Sequence, residues 1–180
     1  GVYFADDRPF TDAARVRAAV WSLGPHATAS GLAAAWWHGV TTYSPDPVEV
    51  TVPRAGHHPH RPGIRMRRRD LWPTDIVERR GLRVTSLPLT VVEAAVRRGG
   101  GAKLMDSALQ RHVELRDLWR VHIRNKGRYG SPAARILLQA AADGARSAAE
   151  RLLVKLLKEA RITGWKANHP VGRYVVDVAF

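Results

Sequence analysis

Two stretches decide the fold: Val48-Glu49-Val50-Thr51-Val52 and Ile64-Arg65-Met66-Arg67-Arg68-Arg69. In each, apolar side chains recur at every second position, the period of a strand with one buried face. Val48, Val50 and Val52 alternate with Glu49 and Thr51, and Ile64 and Met66 alternate with Arg65 and Arg67. The second strand therefore has one apolar face and one strongly basic face. Arg54 to Gly63 joins them and holds three His among Gly and Pro, which marks a loop. The two strands are expected to pair as a hairpin. Leu82 and Val84, with Arg83 between, predict a third strand.

Outward from these strands the pattern is helical. Towards the N-terminus, Ala13, Val16, Val20 and Leu23 predict a helix over 11–24, capped by Thr11 or Asp12 and closed by Gly24. A second helix is expected from Thr28 to His38, ended by Gly39; its Trp36 and Trp37 read as core. Towards the C-terminus, Ser86 caps a helix to about Arg98, with Pro88 in its first turn. Gly99-Gly100-Gly101 ends it, and helices over 102–112, 114–124 and 132–142 follow. Asp143-Gly144-Ala145-Arg146 reads as a hinge. Ser147-x-x-Glu150 then matches a capping box ahead of a helix with Leu152, Leu153, Leu156 and Leu157. Two strands, 165–171 and 174–180, flank Gly172-Arg173. The fold class is α+β: a helix-rich region over 1–145 with a small sheet, then a helix-plus-hairpin region over 146–180.

The chain has 180 residues, enough for one or two domains. Hydrophobic residues make up 45%, so it is not a disordered chain. Cysteine is absent, which excludes disulfide scaffolds, thiol nucleophiles and Cys-ligated zinc, and fits a reducing cytoplasm. No run of eighteen apolar residues is present, so no membrane partner is expected. Lys and Arg number 29 against 16 Asp and Glu, a formal net charge of +13. A field of that sign attracts polyanions, and the excess is mostly Arg, whose planar fork suits phosphate. Arg61, Arg65, Arg67, Arg68 and Arg69 form a basic ribbon, extended by Arg79, Arg80 and Arg83. These eight are the candidate nucleic-acid contacts, set against a merely solvated face.

Three further groups invite chemistry. Asp177 lies in a strand with apolar residues on both faces, where a carboxylate is expensive unless paired or bound to a cation; the alternative is a strand-end Asp in solvent. Glu150 borders the buried face of its helix, but the capping box also accounts for it. His57-His58-Pro59-His60 contains metal-ligand types, yet adjacent His residues do not converge on one ion without irregular backbone, so a solvated loop is favoured. No P-loop, GxSxG or HExxH pattern occurs.

Two resemblances span most of the chain. Gly1-Val2-Tyr3, Ala27 to Trp36 with Gly39, Val48-x-Val50-Thr51-Val52-Pro53, Gly81-Leu82-x-Val84-Thr85-Ser86 and Thr90-Val91-Val92-Glu93 resemble the AbiEi-type antitoxin of type IV toxin–antitoxin systems. Ala27-Thr28 stands where that family usually has Ser-His. Ser147-x-x-Glu150, Leu153, Leu156-Leu157, Ile162, Trp165, Asn168-x-Pro170-Val171 and Tyr174-x-Val176-Asp177-x-Ala179-Phe180 resemble the Vsr-like endonuclease-related domain of actinobacterial type, with a PD-(D/E)XK, restriction-endonuclease-like core. The first resemblance implies DNA association, transcriptional repression, a cognate toxin and an upstream winged helix. The second implies Mg²⁺-assisted phosphodiester hydrolysis, with Asp177 and a downstream Glu-x-Asp acid holding the ion and Glu150 assisting.

Neither end reads as natural, and the resemblances imply an internal piece of a longer protein of roughly 300 residues. Three functions follow: an antitoxin-like DNA regulator fused to an endonuclease-like domain, a Mg²⁺-dependent DNA endonuclease, or a non-catalytic basic module binding a toxin or RNA. Because 1–180 supplies at most two of the required acids, purified chain is expected to leave supercoiled plasmid intact with Mg²⁺. Nicking that Asp177→Ala abolishes would reverse this reading.

Overall fold

The computed structural model describes residue 3 and residues 9–56 and 58–180. His57, Gly1 and Val2 lie outside the described residues. The chain divides into two compact units, Gly1–Leu138 and Gln139–Phe180. The fold is α+β, with a mixed five-stranded sheet in the first unit and a two-stranded hairpin in the second.

The first unit opens with helix α1, Asp12–Trp21, and the expected cap is present: Thr11 Oγ1 accepts from the Ala14 N–H at 3.2 Å. Thr28 and Ala29 do not begin the second helix. They form a two-residue strand, β1, at the centre of the sheet, antiparallel to β2 (Val48–Val52) and parallel to β5 (Leu82–Thr85). Two residues are too few for any period to show. Helix α2, Gly31–His38, follows at once and closes on Gly39.

Strand β3, Ile64–Arg68, is an edge strand and pairs with β2 in parallel, with Glu49 opposite Arg65 and Thr51 opposite Arg67. The expected hairpin is thus wrong. The loop after Val52 carries the chain back, as a parallel pair requires. On the far side, β4 (Ile76–Arg79), which alternation did not reveal, joins β5 through Arg80 and Gly81. Both turn residues have positive φ, 51° and 69°, the geometry of a tight two-residue hairpin loop in which Gly is favoured.

One face of the sheet, with Ala29, Val50, Val52 and Val84, packs on Val16 and Val20 of α1 and Ala33, Ala34 and Trp37 of α2. Burying each of these valines stabilises the fold by about 1.5–3 kcal/mol. Glu49 and Thr51, which alternate with the valines on the other face, are buried as well. Helices α3 (Leu87–Ala95), α4 (Ala102–Arg111) and α5 (Leu115–Arg124) complete the unit, with Leu118, Ala134 and Leu138 buried. Helix α3 stops at Ala95, short of the expected Arg98.

Helix α6 runs unbroken from Ser131 to Glu159. The expected hinge at Asp143–Arg146 is helical. Gly costs only about 1 kcal/mol against Ala inside a helix, and the Gln139 side-chain amide bonds Asp143 Oδ1 at 3.1 Å across the same turn. The capping box therefore does not form; Ser147 Oγ accepts from Arg151 Nη1 instead, at 2.8 Å. In the second unit β6 (Lys166–Val171) and β7 (Tyr174–Ala179) make an antiparallel hairpin.

Two glycines give opposite expectations. A Cβ on Gly31, which has φ +54°, would sit 1.9 Å from Glu49 Oε2, whereas one on Gly144 would meet nothing within 4 Å. Gly31→Ala is expected to cost about 3 kcal/mol. Gly144→Ala is expected to add about 1 kcal/mol of stability if α6 is continuous. Urea titration of both variants checks this.

Candidate functional site

Four elements bring arginines to one concavity at the β3 edge. Arg65, Arg67 and Arg68 come from β3, Arg69 follows it, and Arg54 follows β2. Arg97 lies just past α3, and Arg128 and Tyr129 sit in the turn between α5 and α6. Together with Gly127 these residues line a groove of about 450 Å³. Arg65 and Arg67 point this way because Ile64 and Met66 pack against the opposite, apolar side of the sheet.

Two buried carboxylates stand beneath the groove. Glu49 is 2% exposed; its Oε1 lies 2.9 Å from Arg97 Nε and 3.6 Å from Arg65 Nη1. Its Oε2 accepts from the Leu32 N–H at 2.9 Å. Glu93 of α3 pairs with Arg69 at 2.5 Å. Glu49 thus sits at the N-terminus of α2, where unpaired N–H groups and the helix dipole favour negative charge. Ser30, the cap residue by position, does not cap; its hydroxyl accepts from Thr51 Oγ1 at 2.9 Å. Burial, and then the nearby Glu49, push the Glu93 carboxyl above its usual range, against the lowering pull of Arg69.

Among the described residues, the guanidiniums of Arg54, Arg67, Arg68 and Arg128 have no carboxylate partner, although the Arg54 backbone N–H donates to Asp70 Oδ1 at 3.0 Å. Arg67 Nη2 is buried without a hydrogen-bond acceptor. Arg68 Nη2 donates to His58 O at 3.3 Å and Arg128 Nη1 to Asp70 O at 3.5 Å. Burial and the charge of Arg69 lower the Arg128 guanidinium from its usual value. Below the groove, Asp75 is wholly buried and pairs with Arg124. His122 is held below the usual imidazole range by burial, then by Arg135 and Lys126.

The eight arginines expected from sequence therefore separate. Arg65, Arg67, Arg68 and Arg69 meet in the groove. Arg61 lines a different cavity, with Phe10, Arg15 and His60. Arg79 and Arg80 lie at the β4 edge, across the sheet from β3. There Arg79 O accepts from Trp37 Nε1 at 2.7 Å, and Arg80 donates to Trp37 O and stacks on the Trp37 ring at 4.7 Å. Arg83 borders a small cavity with Thr28, Thr51 and Asp70. Arg54, Arg97 and Arg128 escaped sequence reading because each lies in a loop or past a helix end, outside the alternating strands.

The expected catalytic pair fares differently. Asp177 is exposed on β7, since a two-stranded hairpin leaves it in solvent, so the burial cost that singled it out does not arise. Glu150 lies within α6 and makes no hydrogen bond or ion pair among the described residues. No group of three His, Cys, Asp or Glu among the described residues could hold a metal ion. Asp177 and Glu150 are not brought into any such group. No helix among the described residues is long and apolar enough to cross a membrane.

The first unit is thus a mixed-sheet α+β module with a groove of arginines backed by two buried acids. Residues 27–140 match the family model of the AbiEi antitoxin C-terminal domain. The chain belongs to that family. No curated protein and no solved structure is significantly similar to it. The match runs from β1 into α6 and takes in every groove residue; 141–180, with Glu150 and Asp177, lie outside it.

Glu93 supplies a pH test. Its folded-state value lies above the ordinary 4.5, so the native state holds the proton more tightly than the unfolded chain. Its stabilising contribution is complete below about pH 4.5 and is lost as pH rises through the folded value. Glu93→Gln, which mimics the protonated acid, is expected to remove this decline. Tm measured for both proteins between pH 5 and 8 should converge at the acid end and separate at the alkaline end.

Proposed function

We propose that the chain is an antitoxin of the type IV class whose AbiEi domain binds nucleic acid through the β3-edge groove. Family membership supports the antitoxin role. The observation that carries the binding role is the convergence of seven arginines on one concavity, four of them without a carboxylate partner among the described residues. Guanidinium groups not neutralised within the fold remain available to phosphate, to which they bond in bidentate fashion. The paired arginines, Arg65, Arg69 and Arg97, shape the wall rather than supply free charge. Binding of this kind positions a backbone without reading bases, and DNA sequence preference would come from elsewhere.

A cognate toxin is the second partner that the family supports, and the same basic groove could meet an acidic surface on it. A fused endonuclease activity has no such support, because the family match ends before Glu150 and Asp177 and these two acids do not assemble a site. Repression, if present, would act through occupancy of DNA and not through cleavage.

Four free arginines engaging phosphate predict a slope near −3.6 in log K against log salt. Affinity for DNA is expected to fall on the order of 100-fold between 50 and 200 mM salt. Arg67→Ala and Arg128→Ala are each expected to weaken binding uniformly across sequences and to flatten the slope by about one. Arg80→Ala is expected to leave the slope unchanged and lower Tm. Fluorescence anisotropy across a salt series checks all three; a salt-insensitive Kd would remove the groove from nucleic-acid binding.

A further inference from the structure

The groove is a pocket, and its shape restricts what it takes. A duplex spreads its charge along a convex ridge, one phosphate charge per about 1.7 Å of axis. Its natural complement is an extended basic stripe. Here the arginines instead line an open concavity of about 450 Å³, inside the range of about 300–1,000 Å³ typical of small-ligand sites. Arg79 and Arg80, which would lengthen a stripe, are at the opposite sheet edge and engaged with Trp37.

An aromatic ring stands at the same pocket. Tyr129 is 81% exposed and lines the groove, with the guanidiniums of Arg67 and Arg97 at 5.8 and 5.1 Å from its ring centroid. An exposed tyrosine ring beside phosphate-binding groups is the pairing that binds a base and its phosphates together. The buried Arg67 Nη2, which has no acceptor in the protein, adds a donor whose partner an anion in the pocket would supply.

We infer that the pocket accepts one nucleotide unit, its phosphates among Arg67, Arg68 and Arg128 and its base stacked on Tyr129. The chemistry is shared by a free nucleoside triphosphate and by the 5′-phosphorylated end of a single strand. This deepens the nucleic-acid reading above, since it rests on the groove being a phosphate site, and it selects an unpaired nucleotide over duplex backbone.

Calorimetric titration of the full chain with five probes tests it: ATP, tripolyphosphate, adenosine, and a single-stranded oligonucleotide with or without a 5′-phosphate; a blunt duplex with 5′-hydroxyl ends is the comparison. ATP is expected to bind on the order of 10-fold more tightly than tripolyphosphate. Tyr129→Ala should erase that margin while Tyr129→Phe keeps it, and Tyr129→Ala should leave Tm unchanged because the ring is exposed. Arg67→Ala should weaken ATP and tripolyphosphate equally. A 5′-phosphorylated strand matching ATP, and exceeding its 5′-hydroxyl counterpart, supports a strand end; ATP binding alone supports a free nucleotide. Equal binding of ATP and tripolyphosphate, with no effect of Tyr129→Ala, overturns the inference. So does duplex binding tighter than every other probe, an outcome that leaves the general nucleic-acid reading standing. Failure of every probe, duplex included, overturns both.

Discussion

The first unit is organised around a buried carboxylate at a helix start. Glu49 sits in the middle of a five-residue strand, out of water, where an unpaired charge would cost several kcal/mol. Its cost is offset on three sides, by the Leu32 N–H, by Arg97 and by Arg65. Each of these contacts constrains something else. The Leu32 bond caps α2 in place of Ser30. The close approach of Oε2 leaves no room for a Cβ at residue 31, which must be Gly. The Arg97 pair ties the end of α3 to β2. Glu93 is a second buried acid of this kind, paired with Arg69.

That network also builds the groove. The arginines that neutralise Glu49 and Glu93 line the groove, and Arg54, Arg67, Arg68 and Arg128 gather beside them. Acids below and guanidiniums above set a gradient of charge across the sheet edge. The raised Glu93 carboxyl and the lowered Arg128 guanidinium are two results of the same crowding: burial penalises each charged form. A groove made in this way is positively charged without being loose, because its walls are ion-paired to the core.

The two ends of the sheet in the AbiEi domain use arginine differently. At the Trp37 end arginines pack: Arg17 and Arg80 lie over the indole ring at 4.8 and 4.7 Å. At the β3 end Arg65, Arg69 and Arg97 pair with buried acids, and four further guanidiniums have no carboxylate partner among the described residues. The second unit, with α6 and its hairpin, places Glu150 and Asp177 on surfaces where neither is forced into a site. Net charge alone could not distinguish these roles, since an arginine stacked on tryptophan and one facing a phosphate count equally.

Local pattern was enough wherever one element could be judged by its own residues. Thr11 caps α1 as its position implied, Gly39 ends α2, and α4, α5, β2 and β3 lie where periodicity put them, because capping and alternation act within a few residues. The basic face of β3 was legible for the same reason. Family resemblance reached the AbiEi domain from ordered short motifs. Tertiary structure alone decided the rest. The two-residue β1 has too few positions for a pattern, and its place at the sheet centre depends on partners far along the chain. The parallel pairing of β2 with β3 depends on the path of a loop. The groove itself is assembled from arginines more than seventy positions apart in sequence, brought together only when Glu49 and Glu93 must be neutralised inside the fold.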